Sequence, residues 1–188
     1  MTRPPQARAV ILSAGLSTRM GAQKLLMDFR GRPLIEHAIE AARRWRPVLV
    51  AGREVAGALQ GRKDVTLVVN PEPERGMAHS LVLANLAISP GETLVVLLGD
   101  KPLVSDRLIA EVCAALTNAD VAYPVHARSG VPGHPVVFAA SARRRIAALP
   151  DGDTLHVLRD DPSLVGHAVR SEDEGGFFDV DTPGELAR

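Results

Sequence analysis

A loop of small residues with two cations follows the first apolar run of the chain, in the stretch AVILSAGLSTRMGAQK at residues 9–24. Small residues let backbone N–H groups approach an anion closely, and Arg19 and Lys24 add positive charge. This is the chemistry that holds a phosphate chain. The alternative interpretation is a polar strand-to-helix loop with ordinary surface cations.

The loop differs from both common phosphate-binding glycine loops. Five residues separate Gly15 from Gly21, and Lys24 follows three positions later. A P-loop instead places its lysine directly after the second glycine, and the dinucleotide fingerprint G-x-G-x-x-G is absent from this stretch. The spacing therefore argues against a P-loop ATPase and against a Rossmann dehydrogenase.

Two aspartates stand where strands are predicted to end. Asp100 follows an apolar run and one glycine, and Asp181 closes the stretch FFDVD at residues 177–181. Mg²⁺ prefers one or two carboxylates together with substrate phosphate oxygens, so Asp100 and Asp181 are candidate metal ligands. On a strand, Asp179 would share a face with Asp181. The alternative is that Asp100 caps the next turn and Asp181 caps a helix at Pro183. A cationic loop on the same edge favours metal–nucleotide binding.

The composition excludes several other classes of function. The chain has 188 residues, 46% hydrophobic and 23% charged, which predicts one domain spanning residues 1–188 with a sizeable core. Formal net charge is zero, so we expect neither nucleic acid nor membrane as a partner. The apolar runs are too short to span a bilayer. A lone Cys113, more typical of a core than of a nucleophile, and the lack of a signal-peptide pattern predict a cytoplasmic protein.

Strand and helix patterns alternate along the chain, which predicts a three-layer α/β/α sandwich around a mostly parallel sheet. Strands are predicted at residues 9–12, 48–50, 65–69, 93–98, 121–125, 135–138, 165–169 and 177–180, with 93–98 central and buried on both faces. Helices are predicted at residues 34–45, 55–59, 77–87, 106–117, 141–149 and 153–159. We expect Ser105 to cap the fourth of these helices and Arg143-Arg144-Arg145 to form a solvated face. Such sheets bind ligands beyond the carboxyl ends of their strands, where the loop, Asn70, Asp100 and Asp181 should meet.

With these residues in view, the chain resembles a known family. LSAGLSTRMGAQKLL followed by GRPLIEHAI resembles the nucleotide-binding signature of the MobA-like NTP transferases, the molybdopterin nucleotidyltransferases, and of their cytidylyltransferase (MocA-like) branch in particular. NPEPERGMAHSL, LGDKP, GVPGHPVVF and FFDVDTP match in family order, so the resemblance covers almost the whole chain. It implies a Rossmann-like nucleotidyltransferase fold that binds an NTP and Mg²⁺ at the first loop.

The resemblance also implies a role for each matching residue. The residues that it implies for nucleotide binding are Leu12, Ser13, Ala14, Gly15, Arg19, Lys24, Asn70 and Ser80. Gly76-Met77 would line the nucleotide or acceptor cleft. The resemblance implies that Asp100 and Asp181 bind Mg²⁺ and that Arg19, Lys24 and Asp100 are catalytic. It further implies that Gly133, His134 and Pro135 lie on the acceptor side. The implied reaction is attack of an acceptor phosphate on the α-phosphorus of the NTP, with pyrophosphate leaving.

The resemblance specifies the type of reaction more narrowly than it specifies the nucleotide and the acceptor. The guanylyl branch typically has two glycines where this chain has Ala14-Gly15, and a methyl group at position 14 narrows the base slot, which favours CTP. Lys101 and the segment 151–158 depart from the usual family pattern; Lys101 could weaken Mg²⁺ binding or contact pyrophosphate. The expected acceptor is a molybdopterin-type phosphate, with a molybdenum hydroxylase as a partner. Alternatives are GTP-dependent or sugar-phosphate nucleotidyl transfer, an oxidoreductase, and a non-catalytic protein that delivers the cofactor to the hydroxylase.

Overall fold

The computed structural model describes residues 6–15 and 23–186, and these residues form alternating strands and helices. The strands are β1 (Ala7–Ser13), β2 (Asp28–Phe29), β3 (Arg32–Pro33), β4 (Val48–Ala51), β5 (Thr66–Val69), β6 (Thr93–Leu98), β7 (Val121–His126), β8 (Val136–Phe138) and β9 (Gly166–Ser171). The helices are α1 (Leu34–Ala41), α2 (Arg53–Ala58), α3 (Met77–Leu86), α4 (Asp106–Ala114), α5 (Leu155–Arg159) and α6 (Pro183–Leu186). Short 3₁₀ turns cover Lys24–Leu26, Arg43–Trp45, Pro73–Arg75, Ala142–Ala148 and Glu174–Gly176. No helix in the described part of the chain is long and apolar enough to cross a bilayer.

A seven-stranded sheet in the order β5-β4-β1-β6-β8-β7-β9 forms the centre of the molecule. The first four of these strands are parallel, and Val10 of β1 pairs with Val48 of β4 and Val96 of β6. β8 runs antiparallel to both of its neighbours, whereas β7 and β9 are parallel. β6 is the middle strand, buried along almost its whole length, as its apolar sequence predicts.

Two apolar layers cover the two faces of the sheet. Alternate residues of β1 enter different layers: Ile11 packs with α1, α2 and α4, and Val10 packs with α3 and α5. Helices on both faces of a mostly parallel sheet confirm the predicted α/β/α sandwich. Ser105 caps the N-terminus of α4 as predicted: its hydroxyl accepts a hydrogen bond from the Leu108 backbone N–H at 3.1 Å.

The prediction of a strand at residues 177–180 is wrong. The segment has no regular structure, although the Val180 N–H donates to the Asp100 carbonyl at 3.1 Å. Close packing of the preceding turn explains this: a Cβ on Gly175 would lie 1.9 Å from the Leu103 carbonyl oxygen. The chain is thus held against the α4 side by its glycines rather than by a ladder of strand hydrogen bonds. Asp179 and Asp181 therefore cannot be placed on one face by the alternation of side chains along a strand.

The expectation for the three consecutive arginines is also wrong in part. Residues 142–148 form a 3₁₀ turn, and the Arg143 side chain is buried, whereas Arg144 and Arg145 are exposed. The helix predicted at residues 34–45 is shorter in the structure, since α1 ends at Ala41 and a 3₁₀ turn follows it.

Candidate active site

A cleft of about 420 Å³ opens at the carboxyl ends of β1 and β6. It is lined by Leu12, Ser13, Ala14, Gly15, Lys24, Leu25, Pro73, Gly76, Met77, Ser80, Leu98, Asp100 and Asp181. The structure thus brings the end of β1, Lys24 and both aspartates into one place, at the edge of the sheet predicted from the strand pattern. Arg19 lies outside the described residues.

The floor of the cleft is built by the close approach of β1 and the turn after β6. The Gly99 N–H donates to the Leu12 carbonyl at 3.0 Å. A Cβ on Gly99 would lie 2.9 Å from Ile35 Cδ1 and 3.3 Å from the Ser13 side chain. Glycine at position 99 therefore allows the turn that carries Asp100 to lie directly against the end of β1.

Lys24 forms the centre of the polar part of the cleft. Its Nζ donates to Asp100 Oδ2, to Asp181 Oδ1 and to the Val180 carbonyl, each at 2.9 Å. An ammonium group has three protons, and each of them has an acceptor in this arrangement. Burial acts to lower the pKa of Lys24, but the hydrogen bonds to Asp181 and Asp100 outweigh it, so the pKa is raised and the side chain stays charged.

Asp100 has one carboxylate oxygen engaged and one without a partner among the described residues. Oδ2 accepts from Lys24, whereas Oδ1 is buried with no hydrogen bond from the described part of the chain. A buried carboxylate oxygen without a donor is costly, so this atom marks a place for a cation or a donor from a ligand. The Asp181 side chain is about half exposed, and its backbone N–H donates to Glu185 at 2.8 Å.

Lys101 is not among the residues that line the cleft, and it forms an ion pair with Asp179. The Lys101 side chain is 5% exposed, and that of Asp179 is 42% exposed. Burial raises the pKa of Asp179, and the hydrogen bond and charge of Lys101 oppose the rise. The charged group of Lys101 is therefore paired with the segment that precedes Asp181.

Ser80 and Asn70 are joined on the wall formed by α3. Ser80 lines the cleft, and Asn70 is fully buried behind it, donating from Nδ2 to Ser80 Oγ at 2.9 Å. Asn70 Oδ1 also accepts from the Glu72 N–H at 2.9 Å. Asn70 lines an adjoining recess together with Gly15 and Gly52. The Asn70 side chain therefore fixes the start of the loop that leads to α3.

Gly133, His134 and Pro135 lie at the same edge of the sheet because β8 runs antiparallel to β6. They are not among the residues that line the cleft. The His134 N–H donates to the Gly176 carbonyl at 2.9 Å, and Nδ1 of its ring is buried with no partner in the described chain. Burial, followed by the charge of Lys101, lowers the pKa of His134 to about 3, so the ring is neutral near pH 7.

Comparison with known proteins identifies the family. A profile of the MobA-like NTP transferase domain matches residues 9–165, most of the chain. The chain belongs to the MobA-like NTP transferase family. It is a nucleotidyltransferase with the Rossmann-like fold of that family, as the sequence resemblance implies.

Three curated relatives cover nearly the whole chain at modest identity. The molybdenum cofactor cytidylyltransferase of Escherichia coli is 25% identical over 94% of this chain and 92% of its own length. The nicotine blue oxidoreductase of Paenarthrobacter nicotinovorans is 27% identical over 98% and 96%. The molybdenum cofactor guanylyltransferase of Vibrio cholerae is 27% identical over 99% and 92%.

Solved structures share the fold. The homologue of Rv0371c from Mycobacterium sp. strain JC1 has a TM-score of 0.84 at 22% identity, covering 99% of this chain and 96% of that one. Molybdopterin-guanine dinucleotide biosynthesis protein A of Archaeoglobus fulgidus has a TM-score of 0.73 at 20% identity, covering 96% and 95%.

Sequence reasoning missed two kinds of site residue. Leu25, Pro73 and Leu98 line the cleft, although nothing in their types suggested a ligand. The Lys101–Asp179 pair was missed because its partners are distant in the sequence. For Leu98, the end of the central strand was an available signal, since strand ends border such clefts.

Proposed function

We propose that this chain transfers a nucleotidyl group, with CMP from CTP favoured, to the terminal phosphate of a molybdopterin-type acceptor. The observation that carries the proposal is the convergence of the end of β1, Lys24, Asp100 and Asp181 on one cleft. The names of the cytidylyl and guanylyl relatives support the acceptor class. We also propose that one domain, residues 1–188, does this work in the cytoplasm.

The transfer is an in-line displacement at phosphorus. An oxygen of the acceptor phosphate forms a bond to the α-phosphorus of the NTP, the bond from that phosphorus to the bridging oxygen breaks, and pyrophosphate leaves with the electron pair. The nucleophile is already an anion, so no strong general base is required. The protein has to bring two anions together and to offset their repulsion. Lys24, Arg19 and the N–H groups of the first loop are proposed for this role. Backbone groups of Leu12, Ser13, Ala14 and Gly15 are proposed to hold the base and the phosphates.

The residues present fit a bound Mg²⁺. The buried Asp100 Oδ1 lacks a partner among the described residues, and Asp181 lies in the same cleft. No group of three or more histidine, cysteine, aspartate or glutamate side chains that could hold a metal occurs in residues 6–15 and 23–186. Such a sparse donor set suits Mg²⁺, which takes its other ligands from phosphate oxygens and water. When bound, the ion would neutralise charge that develops on the phosphate oxygens.

The choice of CTP rests on Ala14. Its side chain is 7% exposed and lines both the cleft and the adjoining recess. A methyl group there reduces the width available to a base, which favours a pyrimidine over a purine. Asn70 and Ser80 are proposed to lie beside the nucleoside, and Gly133, His134 and Pro135 to border the acceptor. Delivery of the product to a molybdenum hydroxylase is the expected next step.

Pyrophosphate release tests the proposal. The chain is incubated with CTP, GTP or ATP, with and without Mg²⁺, and with molybdopterin or a sugar phosphate as the acceptor. We expect release only with Mg²⁺ and molybdopterin, fastest with CTP. Thermal shifts measured with the same nucleotides separate binding from turnover. Nucleotide binding without release would identify a non-catalytic delivery protein instead, and fastest release with GTP would contradict the argument from Ala14.

A further inference from the structure

The segment Asp179-Val180-Asp181 carries one proposed metal ligand and is held at each of its three residues. Asp179 forms an ion pair with Lys101, the Val180 N–H donates to the Asp100 carbonyl at 3.1 Å, and Asp181 accepts from Lys24 at 2.9 Å. The Val180 side chain is fully buried in the apolar layer. This segment has no strand ladder to fix it, so these contacts determine where Asp181 lies.

The two lysines act on different carboxylates. Lys24 contacts Asp100 and Asp181, which both line the cleft, whereas Lys101 contacts Asp179, which does not. The Lys101 ammonium is also the more deeply buried, with 5% of its side chain exposed against 14% for Lys24. A buried ammonium needs a counter-charge, and this need holds Asp179 in place.

Lys101 directly follows Asp100 in the chain, so a contact of its side chain constrains the same turn that presents Asp100. We infer that Lys101 and Asp179 are a positioning pair that fixes the separation of Asp100 and Asp181 and so sets the strength of metal binding to the enzyme–nucleotide complex. Neither side chain touches the reacting atoms. The inference rests on the proposed function, because it assumes that Asp100 and Asp181 hold the metal.

The enhancement of nucleotide affinity by metal tests this pair without requiring turnover. The dissociation constant of CTP is measured in EDTA and in saturating Mg²⁺ without acceptor, and the ratio of the two values is compared between variants. For Lys101→Met we expect the ratio to fall about tenfold, with the constant in EDTA changed less than about twofold. Asp179→Asn retains an acceptor oxygen for Lys101, so we expect a smaller fall, about threefold.

Arg145→Met is the matched control. It removes the ion pair between Arg145 and Asp161, in which the nitrogen and oxygen atoms are 2.8 Å apart. Neither residue lines the cleft. A purely structural role for Lys101 would lower the melting temperature and the folded fraction but not the ratio measured for the folded protein. If Lys101→Met does not fold, Asp179→Asn carries the test.

Four results would overturn the inference. The first is an unchanged ratio in folded Lys101→Met or, where that variant does not fold, in Asp179→Asn. The second is an equal fall in Arg145→Met. The third is a wild-type ratio of about one with CTP and, when the same two constants are measured for GTP, with GTP as well, which would also remove the proposed metal site. The fourth is a fall caused entirely by weaker nucleotide binding in EDTA. Failure of the proposed function has a separate signature, the lack of acceptor-dependent pyrophosphate release by the wild-type chain.

Discussion

The ammonium group of Lys24 combines two tasks that its residue type alone does not distinguish. It neutralises two carboxylates in the cleft, and it is proposed to stabilise the charge of the transferring phosphate. We expect Lys24→Met to lower kcat for pyrophosphate release on the order of a hundredfold, or about 3 kcal/mol, as loss of one preorganised donor does in other enzymes. The matched control is Lys63→Met, an exposed lysine outside the cleft. An unchanged kcat in Lys24→Met would remove this residue from the mechanism.

Asp100 offers a more specific test of the metal site. Asn at this position keeps an oxygen that can accept from Lys24 but removes the negative charge that a divalent cation requires. We therefore expect Asp100→Asn to lose Mg²⁺-dependent turnover while its melting temperature stays within a few degrees of the wild type. Titrating the rate with Mg²⁺ gives the answer. A normal metal dependence would show that Asp100 is not a ligand.

His134 gives a pH-dependent contribution to stability. Burial and the charge of Lys101 lower its pKa to about 3 in the folded protein, below the ordinary value of 6.5. The unfolded chain therefore binds a proton that the folded chain does not, and stability falls as the pH drops below about 6.5. We expect His134→Asn to reduce this slope by up to about 1.4 kcal/mol per pH unit between about pH 6 and pH 4.

Urea unfolding at a series of pH values measures the His134 effect. His167→Asn, at an exposed position of β9, is the control for loss of a histidine as such. Equal slopes in the wild type and in His134→Asn would mean that the ring of His134 can be protonated in the folded state at little cost.

At the level of elements, Arg143 joins the 3₁₀ turn at residues 142–148 to the end of α3. Its guanidinium donates to the carbonyl oxygens of Asn85, Ile88, Ser89 and Glu92 and to the Asn85 side chain. Asn85 lies in the last turn of α3, where carbonyls lack partners within the helix, and Ile88, Ser89 and Glu92 belong to the connection that leads from α3 to β6. The buried guanidinium therefore supplies donors both to the end of the helix and to the connection that follows it.

Replacing this guanidinium should destabilise the protein. We expect Arg143→Met to lower the free energy of unfolding by roughly 2–4 kcal/mol, because several buried carbonyls lose their donors. Arg143→Lys should not restore the loss, since a lysine cannot reproduce the planar set of donors. The exposed neighbour Arg144→Met is the control, with an expected change below about 0.5 kcal/mol. Denaturant unfolding measures all three, and equal stabilities of the Met variants would contradict the capping role.

At the level of the whole molecule, one sheet extends through both halves of the chain. β6 pairs with β1 on one side and with β8 on the other, so the N-terminal and C-terminal halves of the chain share the middle strand. We therefore expect a single unfolding transition in urea. Fluorescence of Trp45, whose Nε1 donates to Asp106 at 2.7 Å, should coincide with far-UV circular dichroism. Two separate midpoints would divide the chain into two cooperative units.

Regular elements with a strong local pattern could be predicted from the sequence. β6 has the predicted bounds because six consecutive residues favour a buried strand and Gly99 ends the run. The meeting of Lys24 and Asp100 followed from one rule, that ligands bind beyond the carboxyl ends of parallel strands. Asp181 reaches the same cleft although the strand predicted before it is absent.

The errors concern contacts between residues distant in the sequence. The stretch at residues 177–180 has strand-forming residues, but packing of Gly175 against Leu103 decides its path. Arg143 was predicted to be solvated because no local pattern reveals the backbone carbonyls that its guanidinium contacts far along the chain, such as that of Glu92. The Lys101–Asp179 ion pair was missed for the same reason, since the local sequence around either residue does not predict a contact with the other.

The three hydrogen bonds of Lys24 have a consequence for how substrate enters. A phosphate oxygen can accept a hydrogen bond from this ammonium by replacing Asp100, Asp181 or the Val180 carbonyl as an acceptor. Nucleotide arrival is therefore an exchange of hydrogen-bond partners for the lysine. Where the partner given up is Asp100 or Asp181, that carboxylate would need a new counter-charge, which the proposed divalent cation would supply. Metal and nucleotide should consequently load together rather than one after the other.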